Sequence, residues 1–222
     1  MTSQVAIANL ALSHLGNRAR VASIYPPDGS VEADLCSTFF PLARDELLEL
    51  ADWSFARKRL TLAEMPANDS ELWAHAYALP SDCLRPRRMI SDNMTLAEED
   101  SASFIVEGQT IFTNKQNARL IYTRYMTDVS QFPPSVVTTF SYLLAAHLAG
   151  PIIKNDAGAQ AAVSLRKVAK EAAAVAVASD ANGSKLALQP YPSSLAARHG
   201  VNPLAQAPVD GFVLPGSGYA IT

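Results

Sequence analysis

Val31-Glu32-Ala33-Asp34-Leu35-Cys36-Ser37-Thr38-Phe39-Phe40-Pro41-Leu42-Ala43-Arg44-Asp45-Glu46-Leu47-Leu48-Glu49-Leu50 is the stretch whose reading decides the fold. Cys36, Phe40, Ala43, Leu47 and Leu50 recur at steps of four, three, four and three, which places them on one face of an α-helix. Ser30 stands where an N-cap belongs. Glu32 and Asp34 fall in the first turn, where the helix dipole favours anions. The helix is expected over residues 31–52. Pro41 has no amide proton, so the helix must kink there or restart with Pro41 in its first turn.

Upstream, Val5, Ile7, Leu10, Ala11 and Leu15 give a mostly apolar stripe and predict a short helix over residues 3–15, capped by Ser3 and stopped by Gly16-Asn17. Tyr25-Pro26-Pro27-Asp28-Gly29 has the chemistry of a turn. Downstream, residues 64–101 read as irregular or short-stranded, with Trp73, Tyr77 and the basic cluster Arg85-Pro86-Arg87-Arg88. Phe104-Ile105-Val106, a turn at Glu107-Gly108, Thr110-Ile111-Phe112, a second turn over 114–117, and the alternation of Leu120, Tyr122 and Arg124 predict a small antiparallel meander over 103–125.

Helices then return. Pro133-Pro134 opens one carrying Val136, Val137, Phe140, Leu143, Leu144, His147 and Leu148, which Gly150-Pro151 is expected to end. Asn155 or Asp156 can cap an alanine-rich helix over about 157–179, whose small residues allow close packing. From residue 183 the character changes. Five prolines and five glycines occur in the last 40 residues, with Lys185, Arg198 and Asp210 as the only charges. Single apolar residues recur there: Leu186, Leu188, Tyr191, Leu195, Val201, Leu204, Phe212, Leu214 and Tyr219. Such a segment cannot bury a core of its own and is too apolar for a plain linker. It packs along its own domain or docks extended onto a partner.

The expected fold is therefore mainly α within an α+β class: a helical bundle, an inserted antiparallel β-rich arm and an extended C-terminal tail. In chain order these are the first part of the bundle (1–63), the β-rich insertion (64–130), the second part of the bundle (131–182) and the tail (183–222).

Composition narrows the function. The chain has 222 residues, 49% hydrophobic and 18% charged, which supports a real core and excludes full-length disorder. Net charge is −3, whereas a dedicated nucleic-acid binder is usually strongly basic. No apolar run is expected to reach the roughly 18 residues that span a bilayer, so no membrane partner is expected. Met1-Thr2-Ser3-Gln4 lacks a basic start and apolar stretch, so no signal peptide is expected, and Cys36 and Cys83 are read as reduced thiols.

No catalytic or ligand-binding pattern emerges. His14, His75, His147 and His199 have no metal spacing, and there is no nucleophile elbow, phosphate loop or dinucleotide fingerprint. Cys36 lies in the helix stripe, where a small buried hydrophobe is the simpler reading, and Cys83 has no identifiable base. Asp45, Glu46, Glu49 and Asp52 read as a solvated helix face, as does the run Glu98-Glu99-Asp100 for a surface loop. Arg57-Lys58-Arg59 and Arg85, Arg87 and Arg88 read as surface, or as residues meeting a charged partner or DNA backbone. Trp53, Phe55, Trp73 and Tyr77 stand near these charges. They either anchor the long helix to the β-rich insert or form a subunit interface, where aromatics and Arg are enriched. The expectation is a non-enzymatic protein with no cofactor and no metal.

An ordered set of segments carries a resemblance. It comprises Ile7-Ala8-Asn9-Leu10-Ala11-Leu12-Ser13-His14-Leu15-Gly16 with Ala22-Ser23-Ile24, then Glu32-Ala33 and Cys36. Next come Phe40-Pro41-Leu42-Ala43-Arg44-Asp45-Glu46-Leu47-Leu48 and Trp53-Ser54-Phe55-Ala56. Trp73-Ala74-His75-Ala76-Tyr77-Ala78-Leu79-Pro80-Ser81-Asp82-Cys83-Leu84-Arg85 follows, and the set closes with Pro133-Pro134 and Leu143-Leu144-Ala145-Ala146-His147-Leu148-Ala149. Over about residues 4–180 this set resembles bacteriophage head-to-tail adaptor proteins of the tail tubular protein A type.

The resemblance implies a structural virion protein at the head–tail junction, made in the host bacterial cytoplasm. It implies a homo-oligomeric ring, commonly a dodecamer, beneath the portal, joining the DNA-filled capsid to the tail. The implied partners are other copies of the chain, the portal protein and a downstream tail, nozzle or stopper component. DNA passes through the lumen without sequence-specific binding, which a mildly negative net charge suits. Portal docking by Leu186, Leu188, Tyr191, Leu195, Val201, Leu204, Phe212 and Tyr219 follows from the resemblance by position and composition. Other readings are a different neck or tail-completion protein, such as a stopper, or a helical interaction adaptor outside a virus. A peptidoglycan-cleaving virion enzyme would need a pocketed acid or nucleophile.

Overall fold

In the computed structural model the described residues are 2–90 and 103–183, all within the unit Met1–Ser184; the second unit, Lys185–Thr222, lies outside them. Ser3 caps the first helix, α1 (Gln4–His14), its hydroxyl accepting from the Ala6 amide, and Gly16 leaves the helix at φ 71°. Helix α2 (Val31–Leu50) starts at Ser30, whose hydroxyl accepts from the Ala33 amide. Asp28 holds that cap by accepting from both the amide and the hydroxyl of Ser30.

Pro41 neither breaks α2 nor restarts it. The helix runs continuously through it. A proline leaves the carbonyl four residues earlier without its amide donor. That carbonyl belongs to Ser37, and the Tyr25 hydroxyl donates to it at 2.8 Å. The turn before the helix thus repairs the defect inside it.

The β-structure begins earlier than residue 64. After a single 3-10 turn at Ser54–Ala56, strand β1 (Arg57–Thr61) falls inside the span expected to be helical. The span 64–101, read as irregular or short-stranded, contains β2 (His75–Ala78) and the eight-residue β3 (Cys83–Ile90). Strands β4 (Phe104–Glu107), β5 (Thr110–Thr113) and β6 (Arg119–Arg124) follow. They do not form one meander. β4 and β5 make a hairpin through Gly108, at φ 60°, in a sheet ordered β2-β5-β4. β6 leaves for a second sheet ordered β1-β6-β3, where both its neighbours come from upstream. Leu120, Ile121, Tyr122 and Thr123 are all buried, which is the signature of a central strand covered on both faces. Alternation in the sequence detects such strands but does not select their partners. Pro86 is tolerated because β3 is an edge strand.

A second 3-10 turn (Val129–Gln131) leads to α3 (Pro134–Ile153), with Pro134 in the first turn. Gly150-Pro151 does not end it. The helix continues to Ile153 and the chain reverses at Lys154 and Asn155, both with positive φ. Helix α4 (Asn155–Gly183) is longer than expected at both ends. The two helices pack closely at their joint. A Cβ on Gly158 would lie 3.0 Å from the Ala149 carbonyl oxygen, so a larger residue there would press on the backbone of α3.

The expectation that no apolar segment is long enough to span a bilayer is also corrected. By length and composition α3 qualifies, with mean hydropathy 1.6 over its most apolar window. Its apolar faces are taken by protein instead, since α1, α2 and α4 all pack against it and 61% of that window is buried. A helix apolar all round is a core helix when its neighbours cover it. Among the described residues the fold is α+β, with four helices and two three-stranded antiparallel sheets.

Candidate functional site

Three of the residues singled out by the sequence, Trp53, Arg85 and Arg87, meet at the C-terminal end of α2. A helix leaves its last four carbonyls without amide donors. α2 has no basic residue in its last turn and no glycine cap. Its carbonyls are satisfied from outside. The Trp53 indole donates to Leu47 O at 2.8 Å, Arg85 to Glu49 O at 3.0 Å, and Arg87 to the carbonyls of Leu48, Glu49 and Ala51. Two guanidinium cations at the negative end of the helix dipole also fit electrostatically.

The strand geometry delivers them. β3 shifts register against β6 between Cys83 and Arg85 and again between Pro86 and Arg88. A bulge places an extra residue on one strand and re-aims its side chain. Arg87 is that extra residue. Its Nε donates to Thr123 Oγ1 of β6 at 2.8 Å while its other nitrogen reaches α2. Arg85 and Arg87 therefore fasten the sheet to the helix. Arg88 lies opposite Ile121 on the same sheet.

The aromatics separate into three environments. Trp53 is fully buried and starts a chain of rings through Phe55, Phe132, Phe140 and Phe40, with centroid spacings of 4.8–6.2 Å. Tyr77 is buried in the other apolar cluster, among the strands, and its hydroxyl donates to Lys115 O. Trp73 is half-buried in the loop before β2, and its carbonyl accepts from Asn68. The four do not form one patch, and Trp53 and Tyr77 have no surface to offer a subunit interface.

The acidic residues of α2, and Asp52 just beyond its end, are not simply a solvated face. Asp45 pairs with Arg44, Asp52 with Arg57, and Glu46 accepts from His147 at 2.7 Å and from Arg166 at 3.0 Å. Glu46 thus joins α2, α3 and α4 at one point. Periodicity could not reveal this, because the partners lie 101 and 120 residues away. Arg44 was likewise not singled out by the sequence. It is only 5% exposed, bonded to Asp45 and to the Tyr125 hydroxyl, with its guanidinium 4.4 Å from the Tyr125 ring centre.

Chemistry at these positions is limited. Burial pushes both thiols, Cys36 and Cys83, up to about 11, so they stay protonated and poorly nucleophilic near neutral pH. Burial lowers the His14 pKa, and its ring lies 3.0 Å from Ser141 Oγ and stacks on Tyr142 at 4.0 Å. Asp82 is held below the usual carboxylate range, first by Lys58 at 2.7 Å, and also accepts from Tyr122. Among the described residues no group of three or more metal-ligating side chains exists. A polar depression of about 170 Å³ is lined by Arg124, Tyr125, Met126, Thr127, Asp128 and Gln131. The candidate docking residues Leu186, Leu188, Tyr191, Leu195, Val201, Leu204, Phe212 and Tyr219, and the run Glu98-Glu99-Asp100, lie outside the described residues. The chain matches no protein-family model and no curated protein.

Proposed function

We propose that this chain is a structural virion protein, a head-to-tail adaptor that forms a ring, a dodecamer in the reading the resemblance implies, between portal and tail. One observation carries the reading: the polar residues of the resembling segments are occupied in holding elements together. Asn9 clamps residue 21 through paired backbone bonds, at 2.9 Å to Val21 O and 2.8 Å from Val21 N. Ser54 binds Asp180 at the far end of α4, Asp82 joins β1 to β6, and Arg85 caps α2. Residues spent on architecture support a building part rather than a catalyst.

In this reading the helices form a bundle (1–63 and 131–182), the strands form an inserted arm (64–130), and 183–222 is an extended tail that docks on the portal. Apolar anchors such as Tyr191, Leu195 and Phe212 offset the entropy of ordering the tail, and repetition around the ring strengthens a weak single contact. The partners are other copies, the portal and a downstream tail component, with DNA passing through the lumen.

Removal of the residues after Gly183 is expected to leave a folded body that no longer co-sediments with portal rings. In a phage lacking the gene, electron microscopy is expected to show heads separated from tails. Complete virions, or tail-deleted protein that still sediments with portal, would overturn the adaptor reading.

A further inference from the structure

We infer that one face of the β1-β6-β3 sheet binds the phosphate backbone of duplex DNA without reading its sequence. Neither a portal nor a ring is needed for this contact.

Strands β1, β3 and β6 contain no aspartate or glutamate, but eight of the chain's 18 lysines and arginines. Strand pairing sorts them by face. Arg119, Ile121 and Thr123 alternate along β6 and share one side of the sheet. Thr123 lies opposite Arg57 on β1 and Arg85 on β3, and Ile121 lies opposite Arg59 and Arg88. Residues directly opposite in an antiparallel pair stand on the same side. Arg87, at the bulge, joins that side through its bond to Thr123. Six of twelve arginines therefore share one face, in a chain whose net charge is −3. Met89, Leu120 and Tyr122 take the other face, in the apolar cluster of the strands.

Part of this charge is already answered at the α2 end. Asp52 pairs with Arg57, and Arg85 and Arg87 hold the carbonyls of α2. Burial and the neighbouring Arg85 lower the Arg87 pKa below its ordinary value, while Asp52 and Glu49 oppose that shift. Further from α2 stands Arg59. It is exposed, and its side chain makes no hydrogen bond or ion pair among the described residues. Arg88 and Arg119, both half-buried, complete the face. Like charges on neighbouring strands destabilise a sheet, so a face built this way suits a polyanion.

The chemistry of the face narrows that polyanion. Guanidinium forks match phosphate oxygens in pairs. None of the exposed large apolar residues stands on this face, whereas a protein partner seeks apolar anchors at the centre of its interface. The tyrosine of these strands, Tyr122, is on the other side, so no aromatic ring is offered to the bases of a single strand. Contacts to phosphate fix position and carry no sequence information. The positive charge is confined to one face of an acidic chain, and the affinity expected is that of non-specific binding, roughly 10⁻⁴ to 10⁻⁶ M at physiological salt.

Fluorescence anisotropy of a labelled duplex of about 20 base pairs, titrated with the full chain over a salt series, tests this. Binding is expected at low salt, equal for unrelated sequences, with log K falling against log salt at a slope of about −3, for roughly three phosphates. Arg59→Ala is expected to make that slope shallower by about one, and Arg59→Glu to weaken binding about tenfold. Arg59 is exposed and unbonded, so both variants should melt with the wild type. Lys167→Ala with Lys170→Ala, exposed on α4, should bind as the wild type does. No binding at about 50 mM salt, Arg59 variants with wild-type affinity, or an equal loss in the α4 variant would each overturn the inference. So would tighter binding of poly-glutamate than of the duplex, which would mark an acidic protein as the partner. Portal takes no part in this titration, so the DNA contact and the adaptor reading can fail separately.

Discussion

The helices and the strands of this protein are held by different means. Among the described residues, twenty-five buried ones from all four helices and their connections form one apolar cluster, whereas the strands share a cluster of seven, Leu62, Tyr77, Met89, Ile111, Ala118, Leu120 and Tyr122. Two three-stranded sheets with so small a core gain little independent stability from burial. The strand region is instead secured by directional bonds: Arg85 and Arg87 to the end of α2, and, within the strands themselves, the Lys58–Asp82–Tyr122 group across β1 and β6. Apolar packing sets the helices, and polar fastening sets where the strands sit against α2.

The largest effect that would break this contrast is at Trp53. Its replacement by Ala removes a fully buried ring from the helical core and the donor to Leu47 O. A loss of about 3–5 kcal/mol is expected. Urea unfolding followed by circular dichroism should show the whole transition move; a shift below about 1 kcal/mol would mean the core tolerates the cavity.

Arg87→Ala probes the fastening. It removes the Arg87 donor from the carbonyls of Leu48 and Ala51 and from the Thr123 hydroxyl, while Glu49 O keeps Arg85. A loss of about 1.5–3 kcal/mol is expected, as for hydrogen bonds to a charged group. Amide exchange should rise first in β3 and β6 while α1 and α3 keep their protection. Equal loss everywhere would show that strands and helices unfold as one unit.

A finer test concerns Pro41 and Tyr25. Tyr25→Phe should cost about 1 kcal/mol, because Ser37 O then has no donor in place of the missing proline amide. With Pro41→Ala already present the same change should cost less, since the helix supplies its own bond. Identical costs in the two backgrounds would sink the repair argument.

The smallest effect is the pH response of His14. Burial lowers its pKa below 6.5 in the folded chain, so acid protonates the unfolded chain first. Stability tied to His14 is full above pH 6.5 and is lost as pH falls below it. His14→Gln should flatten that part of a melting-temperature profile, and an unchanged slope would assign the dependence to other groups.

Much of the helical half was legible in the sequence. Of the stripe Cys36, Phe40, Ala43, Leu47 and Leu50 the first four are buried and Leu50, the last residue of α2, is 43% exposed, while Ser3 and Ser30 cap their helices as read. Helix hydrogen bonds and caps are local, so composition within a turn or two largely fixes them. The strands were legible only as strands. Phe104-Ile105-Val106 and Thr110-Ile111-Phe112 do pair, but Leu120 and Tyr122 pair with residues 57–61 and 83–90, far upstream. Nothing in their alternation names those partners. Of the sites, the sequence picked out Arg85 and Arg87 but not the helix end they serve, and it missed Arg44 and the meeting of Glu46 with Arg166.

By itself, then, the sequence determined the helices, the caps at Ser3 and Ser30 and the strand-forming segments within 103–125, but not β1, β2 or β3. The tertiary structure decided which strands are neighbours, why α3 can be apolar all round, and that a basic cluster closes a helix. Each of those rests on a contact between residues far apart in the chain, where partner choice depends on packing the whole molecule rather than on any local propensity.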